Sequence, residues 1–512
     1  MLKKYTLLLF TLFVPFFVSA QTEEGSVDAM LQRIFEPITE WVEFIIFYPI
    51  AEGVPFVLPW LIIGAIVFTI YMGFINIRGF RHAIDVVRGK FDDPNDAGEV
   101  SHFQALTAAL SGTVGVGNIA GVAAAVSLGG PGATFWMIFA GLLGMTSKFT
   151  EVSLGLIYRN INPDGSVSGG PMYYLDKGLK EKGMGTLGKI LAVMFAIFCI
   201  GGSVGGGNMV QINQATSQLI AVTGGAESFF YGRGWIFGLA MAVIIGIIII
   251  GGIKSIARVT EKVVPFMVGI YLIGAFIVLG YHFTDIPAAF GNIIGGAFNA
   301  EAMYGGFVGV LIQGFRRSAF SNEAGVGSAS IAHSAAKTDE PISEGVVALL
   351  EPFIDTVVIC TITALVVTIT NYGGQGDVWA LEGLQSGEVA DIAVTSASFE
   401  SVLPWFPPVL AVAVILFALS TMISWSYYGL KCWTYLFGES KTNENIYKVI
   451  FCCLVVIGSA IGARAVFGFG DAMIFAMCFP NVLGLYLLMP KVKEELSKYM
   501  AKVKSGEIAR HG

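Results

Sequence analysis

The sequence predicts an all-α polytopic membrane protein with about eleven transmembrane helices, and three observations carry the prediction. Of its 512 residues, 55% are hydrophobic and only 13% are charged, which gives a mean hydropathy of +0.72. The apolar residues fall in runs long enough to cross a bilayer, which takes about 20 residues of helix each. Two of these runs, Ser111 to Gly132 and Gly305 to Ser334, are crowded in mid-run with glycines and polar side chains. The same composition excludes several classes. The six cysteines (Cys199, Cys360, Cys432, Cys452, Cys453 and Cys478) lie in apolar segments without metal spacing. They read as small buried hydrophobes, neither a disulfide framework nor a redox site. The sequence has no phosphate loop, zinc-ligand spacing or nucleic-acid patch, and its five histidines are scattered.

Residues 1–20 carry Lys3 and Lys4, an apolar run, and Val-Ser-Ala before Gln21. That is the pattern of a cleavable signal peptide, with an uncleaved first helix as the alternative. Residues 21–55 follow as an extracytoplasmic segment, within which Glu36 to Tyr48 forms an amphipathic surface piece. Spans are expected near 56–77, 103–127, 133–158, 187–221, 235–253, 262–281, 304–335, 345–370, 404–437, 446–463 and 467–490. With the N-terminus outside, the C-terminus lies inside, where 491–512 form a basic tail. The basic residues agree, because cytoplasmic loops collect lysine and arginine. Arg78, Arg81, Arg88 and Lys90 follow the first span; Arg159, Lys177, Lys180 and Lys182 follow the third; Lys254, Arg258 and Lys262 mark the next inner turn. The outer loops hold only Arg233 and Arg464, and 377–400 is acidic.

Gly112, Gly115, Gly117 and Gly121 crowd the second span, and each costs a helix about 1 kcal/mol relative to alanine. A segment built only to span lipid gains nothing from this. A segment that unwinds to offer bare N–H and C=O groups needs it, and in lipid such backbone survives only where protein or a cavity satisfies it. Tight helix packing by small residues is the competing explanation. The run from Gly305 to Ser334 repeats the feature. Set the first span aside, and 103–281 and 304–490 become two five-helix units of opposite orientation, each opening on a glycine-interrupted helix. That arrangement points to a solute site between the repeats.

At this point the residues resemble a known family. GVGNIAGVAAAVSLGGPGATFWM at 115–137, GGGNMVQINQ at 205–214, FSNEAGVGSA at 320–329, LEPFIDT at 350–356 and SWSYYG at 424–429 are similar to the alanine or glycine:cation symporters, also called sodium:alanine symporters. The resemblance implies a leucine-transporter-type 5+5 inverted repeat with one leading helix. It also implies inward sodium movement coupled by alternating access to uptake of a small neutral amino acid, alanine or glycine, across the cell (inner) membrane. Sodium is then the coupling ion, and no cofactor is expected. Two departures stand out: the family pattern has threonine at the place of Val116 and methionine at the place of Val326.

The chemistry the resemblance implies assigns roles. The amino acid's carboxylate needs donors, and a half-helix starting near Gly115, Val116 and Gly117 offers free N–H groups and a positive dipole end. Sodium is a hard cation and wants oxygens, from freed carbonyls, Asn118, Ser420, Thr421 or Thr113, the last of which is also expected to touch the substrate. Hydroxyls on helices otherwise bond back to their own backbone. Asn208 and Gln211 read by themselves as interhelical glue; the resemblance makes Gln211 a substrate contact. Gly325 and Gly327 would let backbone approach the ligand at the second break, Glu323 would hold that break together, and Phe320 and Trp425 would close over the small side chain. Arg316 and Arg317 stand one turn above the second break, one expected to line an outer gate and the other to snorkel or pair. Lys148 and Glu151 face Glu351 and Asp355 at matched depth, and Lys148 is expected to pair with Asp355 across the repeats. His333 is expected at the surface. The competing functions are a proton-coupled or other-solute transporter of the same fold, a channel, and an intramembrane enzyme, for which no nucleophile–base arrangement is present.

Overall fold

The computed structural model describes residues 27–51, 53–93, 96–298, 306–372 and 392–508. The expected signal peptide at 1–20 and most of the acidic segment lie outside the described residues. Helix stands at each of the eleven expected places: Val57–Tyr71, His102–Thr113 with Ala120–Gly129, Gly132–Ile157, Gly185–Val222, Gly234–Ile249, Gly252–Tyr281, Gly306–Asn322 with Ala329–His333, Pro341–Asn371, Pro407–Phe437, Lys441–Gly458 and Ala463–Ser505. Among the described residues, five helices are long and apolar enough to cross a membrane alone, and the bent pair His102–Thr113 and Val116–Gly129 makes a sixth. Val243, Ile247, Phe266 and Ile273 project from the peripheral helices Gly234–Ile249 and Gly252–Tyr281 and are exposed. Apolar surface of that extent marks a membrane-facing wall.

The helix Gly132–Ile157 is buried without interruption from Gly144 to Leu156. Glycine and hydroxyl residues let its neighbours approach; a Cβ on Gly141 or Gly155 would press on Thr356 or Ser330. The helix Val27–Ile46 packs on the last helix, and Thr39 Oγ1 donates to the Ala465 carbonyl at 3.1 Å. The amphipathic segment is therefore a helix docked on the bundle. The last helix also runs on past residue 490 to Ser505, so the basic tail begins as its continuation. It bonds to the segments between spans, Tyr499 to His82 at 2.7 Å and Lys502 to Glu340 at 2.6 Å. Arg159 spends its guanidinium on the carbonyls of Ala97, Ser334, Ala336 and Thr338, all within 2.9 Å. One cation thus gathers four loop carbonyls, which ties the segment 97–102 to 334–338.

Candidate functional site

The first broken helix starts on a capping box, with Ser101 accepting from the Gln104 N–H and Gln104 accepting from the Ser101 N–H. It ends at Thr113, and the chain turns by 61° before helix resumes. At the turn Gly115 is extended (φ −139°, ψ −155°), followed by a short 3-10 turn over Val116–Asn118. Two side-chain amides hold it. Asn118 Oδ1 accepts from the Gly115 N–H at 2.8 Å, and Gln211 Oε1 accepts from the Val116 N–H at 3.3 Å. Gln211 is aimed by a π-helical turn at Gly205–Met209, which frees the Gly206 carbonyl to accept from Gln211 Nε2 at 3.0 Å. Such single π turns recur at functional sites. Opposite Gly115, a Cβ would lie only 2.5 Å from Thr421 Oγ1. Thr421 is buried, and its hydroxyl has no hydrogen-bond partner among the described residues. Gly117 faces the Phe320 ring and the Ser321 backbone. Gly115, Val116, Gly117, Gln211, Phe320 and Thr421 thus come together.

The other expected site residues are placed differently. Thr113 Oγ1 reaches back to the carbonyls of Ala109 and Leu110, and Ser420 Oγ to that of Phe417, so both hydroxyls are spent on their own helices. Asn118 is a clasp: its amide nitrogen donates to Asp355 Oδ1 at 2.6 Å while its oxygen caps Gly115. Gly325 and Gly327 take left-handed φ of +86° and +93°. They turn the second break away, against Leu61, Pro171 and Asn481, and not toward the first. Trp425 lies one layer behind, where a Cβ on Gly207 would run into its ring. Its indole N–H donates to Glu323 Oε1 at 2.9 Å, and Ser328 Oγ donates to the other oxygen of that carboxylate. Glu323 therefore bridges the second break, itself left-handed at φ +55°. Asn208 is glue, donating to the Phe451 carbonyl at 2.9 Å.

The charged residues correct the expected pairing. Lys148 Nζ lies 3.1 Å from Glu351 Oε1, one turn from Asp355, so the pair crosses between the halves with a different partner. Matched depth along two helices presupposes a uniform α rise in both, whereas Phe353–Cys360 is π-helical. Asp355 instead accepts from Asn118, from Ser321 Oγ at 2.9 Å and from Thr356 Oγ1 at 2.7 Å. It ties the first break to Gly306–Asn322, the first half of the second broken helix. Glu151 Oε1 accepts from Asn481 Nδ2 at 3.0 Å. Arg316 and Arg317 do not divide their roles, because both reach Asp471 Oδ2, at 3.1 and 3.8 Å. Arg316 also lies over the Phe47 ring. His333 is fully buried, not at the surface. Sequence reasoning also passed over Tyr428, whose buried hydroxyl has no partner among the described residues and faces Gly112; its place in SWSYYG was the available signal.

Comparison with known proteins fits this geometry. Residues 37–511 match the sodium:alanine symporter family. The sodium/alanine symporter AgcS of Methanococcus maripaludis is 39% identical over 441 residues, covering 86% of this chain and 93% of the relative. The "Probable sodium/glutamine symporter GlnT" of Bacillus subtilis is 32% identical over 445 residues, covering 86% and 87%. The crystal structure of MhsT in complex with L-phenylalanine superposes with a TM-score of 0.52 at 16% identity, over 77% of this chain and 89% of MhsT. That likeness establishes the shared fold of an all-helical polytopic membrane protein.

Proposed function

This chain belongs to the sodium:alanine symporter family, and from that premise we propose that it carries alanine or glycine inward together with sodium. Membership makes it a multi-pass transporter of the sodium-coupled amino-acid class and not an enzyme. The observation that carries the finer reading is the first break. There the buried, unpartnered Thr421 hydroxyl faces Gly115 across from the Gln211 amide. Thr421 Oγ1 and carbonyls freed at the break are the oxygens a hard cation selects. The solute's carboxylate takes the place of Gln211 Oε1 on the Val116 N–H, near the positive end of the half-helix that begins at Ala120. A Cβ at Gly117 would already sit 3.5 Å from the Phe320 ring, which supports a small side chain on the solute.

In this reading 103–281 and 304–490 are the two repeats of an alternating-access machine, with the N-terminus outside, a signal peptide ahead of it and the basic inner loops in the cytoplasm. Coupling to protons instead of sodium needs a carboxylate at the site that gains and loses a proton. Asp355 reaches the break, but Asn118, Ser321 and Thr356 all donate to it. It is satisfied as an acceptor, which supports sodium.

Purified protein in liposomes tests the proposal. Uptake of alanine and glycine is expected under an inward sodium gradient and lost when choline replaces sodium, even with a proton gradient present. Full uptake in choline overturns sodium coupling. Strong preference for glutamine over alanine overturns the solute assignment and leaves the coupling standing.

A further inference from the structure

Away from the first break, five titratable side chains stand in file through the inner half of the protein. His102, at the start of the first broken helix, is bonded through Nδ1 to Glu344 Oε2. The other Glu344 oxygen meets His333 Nδ1 at 2.5 Å. His333 Nε2 faces Glu351 Oε2 at 3.5 Å, and Glu351 Oε1 holds Lys148 at 3.1 Å. All five are at most 3% exposed. One end of the file reaches water, since His102 Nε2 lies 3.8 Å from Asp92, whose side chain is 45% exposed. The other ends where Glu151, Glu323 and Glu351 surround Lys148.

Proton stoichiometry makes this file unusual. A neutral imidazole has one N–H and one lone pair, yet His333 and His102 each have a carboxylate oxygen against both ring nitrogens. With ionised carboxylates, each ring needs two protons, or a lone pair faces a lone pair in a buried setting. The weak point shows the tension: His333 Nε2 and Glu351 Oε2 are buried opposite each other, and neither has a hydrogen-bond partner among the described residues. A proton there completes the contact. Lys148 and two imidazolium rings would still meet four carboxylates, those of Glu151, Glu323, Glu344 and Glu351. The charges beyond the file do not supply the difference. The charge of Arg159 acts on Glu344, but Asp339 and Asp96 act on the same guanidinium. Asp96 near His102 and Asp355 near Glu351 add to the acidic side.

The file also crosses a mechanical boundary. His102 belongs to the half-helix that ends at the break, whereas His333, Glu344 and Glu351 belong to the second broken helix and the helix after it. We propose that the His102–Glu344–His333–Glu351 file is a proton-binding site, filled from the inner aqueous phase by way of Asp92, whose proton latches the inner half of the first broken helix to the second half of the protein. The ligand is a proton drawn from water or buffer at the inner face. Its release leaves His333 and His102 facing carboxylates without a shared hydrogen, and frees the half-helix to swing at Gly115.

Two measurements test this, and only the second rests on the transport reading. In detergent, a proton held by the folded file and released on unfolding makes stability fall as pH rises. The unfolding midpoint of wild type is expected to fall between about pH 6 and about pH 8.5, and those of His102→Gln and His333→Gln to fall less. In liposomes with the outer pH fixed, alkaline inner pH is expected to speed sodium-driven alanine uptake by about threefold or more, and the two glutamine variants to lose this response while still transporting. Asp92→Asn, on the exposed end, is expected to shift the wild-type response; should both glutamine variants misfold, an Asp92→Asn response identical to wild type overturns the proposal. A wild-type response that both glutamine variants retain, or a response to outer pH only, also overturns it. Absence of alanine uptake by wild type defeats the solute assignment instead, and the unfolding series then decides the proton site: equal slopes in wild type and variants reject it.

Discussion

Gly115→Ala is expected to abolish sodium-driven uptake, by at least about a hundredfold, or about 2.7 kcal/mol in the rate. The reason is space and not backbone strain. Gly115 is extended, a conformation alanine adopts freely, but its Cβ would sit 2.5 Å from Thr421 Oγ1 and 3.3 Å from Gln211 Oε1. Either the threonine leaves the break or the break moves off Gln211, and both outcomes dismantle the proposed sodium and carboxylate contacts. Gly117 is the internal control. A Cβ there meets the Phe320 ring at 3.5 Å, an ordinary packing distance, so Gly117→Ala should keep uptake within about threefold and discriminate chiefly against larger solutes. Uptake assays on both variants, with membrane abundance measured alongside, check this. Equal loss at both positions would return the stretch to a general requirement for small residues.

Lys148→Ala is expected to remove most folded protein from the membrane. It strands Glu351 beside Glu151 and Glu323 in a fully buried site, and breaking a buried pair on one side costs about 3–5 kcal/mol. That is a large part of the stability of an ordinary domain. The paired reversal, Lys148→Glu with Glu351→Lys, should recover part of the folded yield, read as monodisperse protein after detergent extraction. Lys148→Asp with Asp355→Lys should recover none, because Asp355 is held by Asn118, Ser321 and Thr356. Rescue by the second pair and not by the first would mean that the pairing is wrong.

These two cases show where the sequence was legible. The eleven helical places follow from run length alone, because a bilayer fixes how many apolar residues a span needs. The breaks near Gly115 and Gly325 follow from the helix cost of glycine. Which side chains would meet across the breaks was only half legible. Gln211 and Thr421 both lie against Gly115, but nothing in the residue types says that Asn118 caps Gly115 and turns its nitrogen to Asp355. The π-helical stretches at Gly205–Met209 and Phe353–Cys360 change the facing of Gln211 and Asp355, and no residue pattern demands an i→i+5 bond. Depth counting therefore matched Lys148 with the wrong carboxylate of a correct pair of helices. His333 was hidden for a related reason. Its partners are 11 positions away in Glu344 and, through that residue, 242 positions further back in His102, a proximity that only the packed second half creates.

The most direct test of the account is a sodium titration of alanine binding to the purified protein, in wild type and Thr421→Val. Valine keeps the shape of threonine and removes only the unpartnered hydroxyl. Wild type is predicted to bind alanine in sodium and not in choline. Thr421→Val is predicted to need at least about tenfold more sodium for half-saturation, or about 1.4 kcal/mol, with alanine affinity in saturating sodium changed by less than about threefold. Equal alanine binding in choline and sodium, or an unchanged sodium requirement in the variant, would contradict a sodium site at the first break.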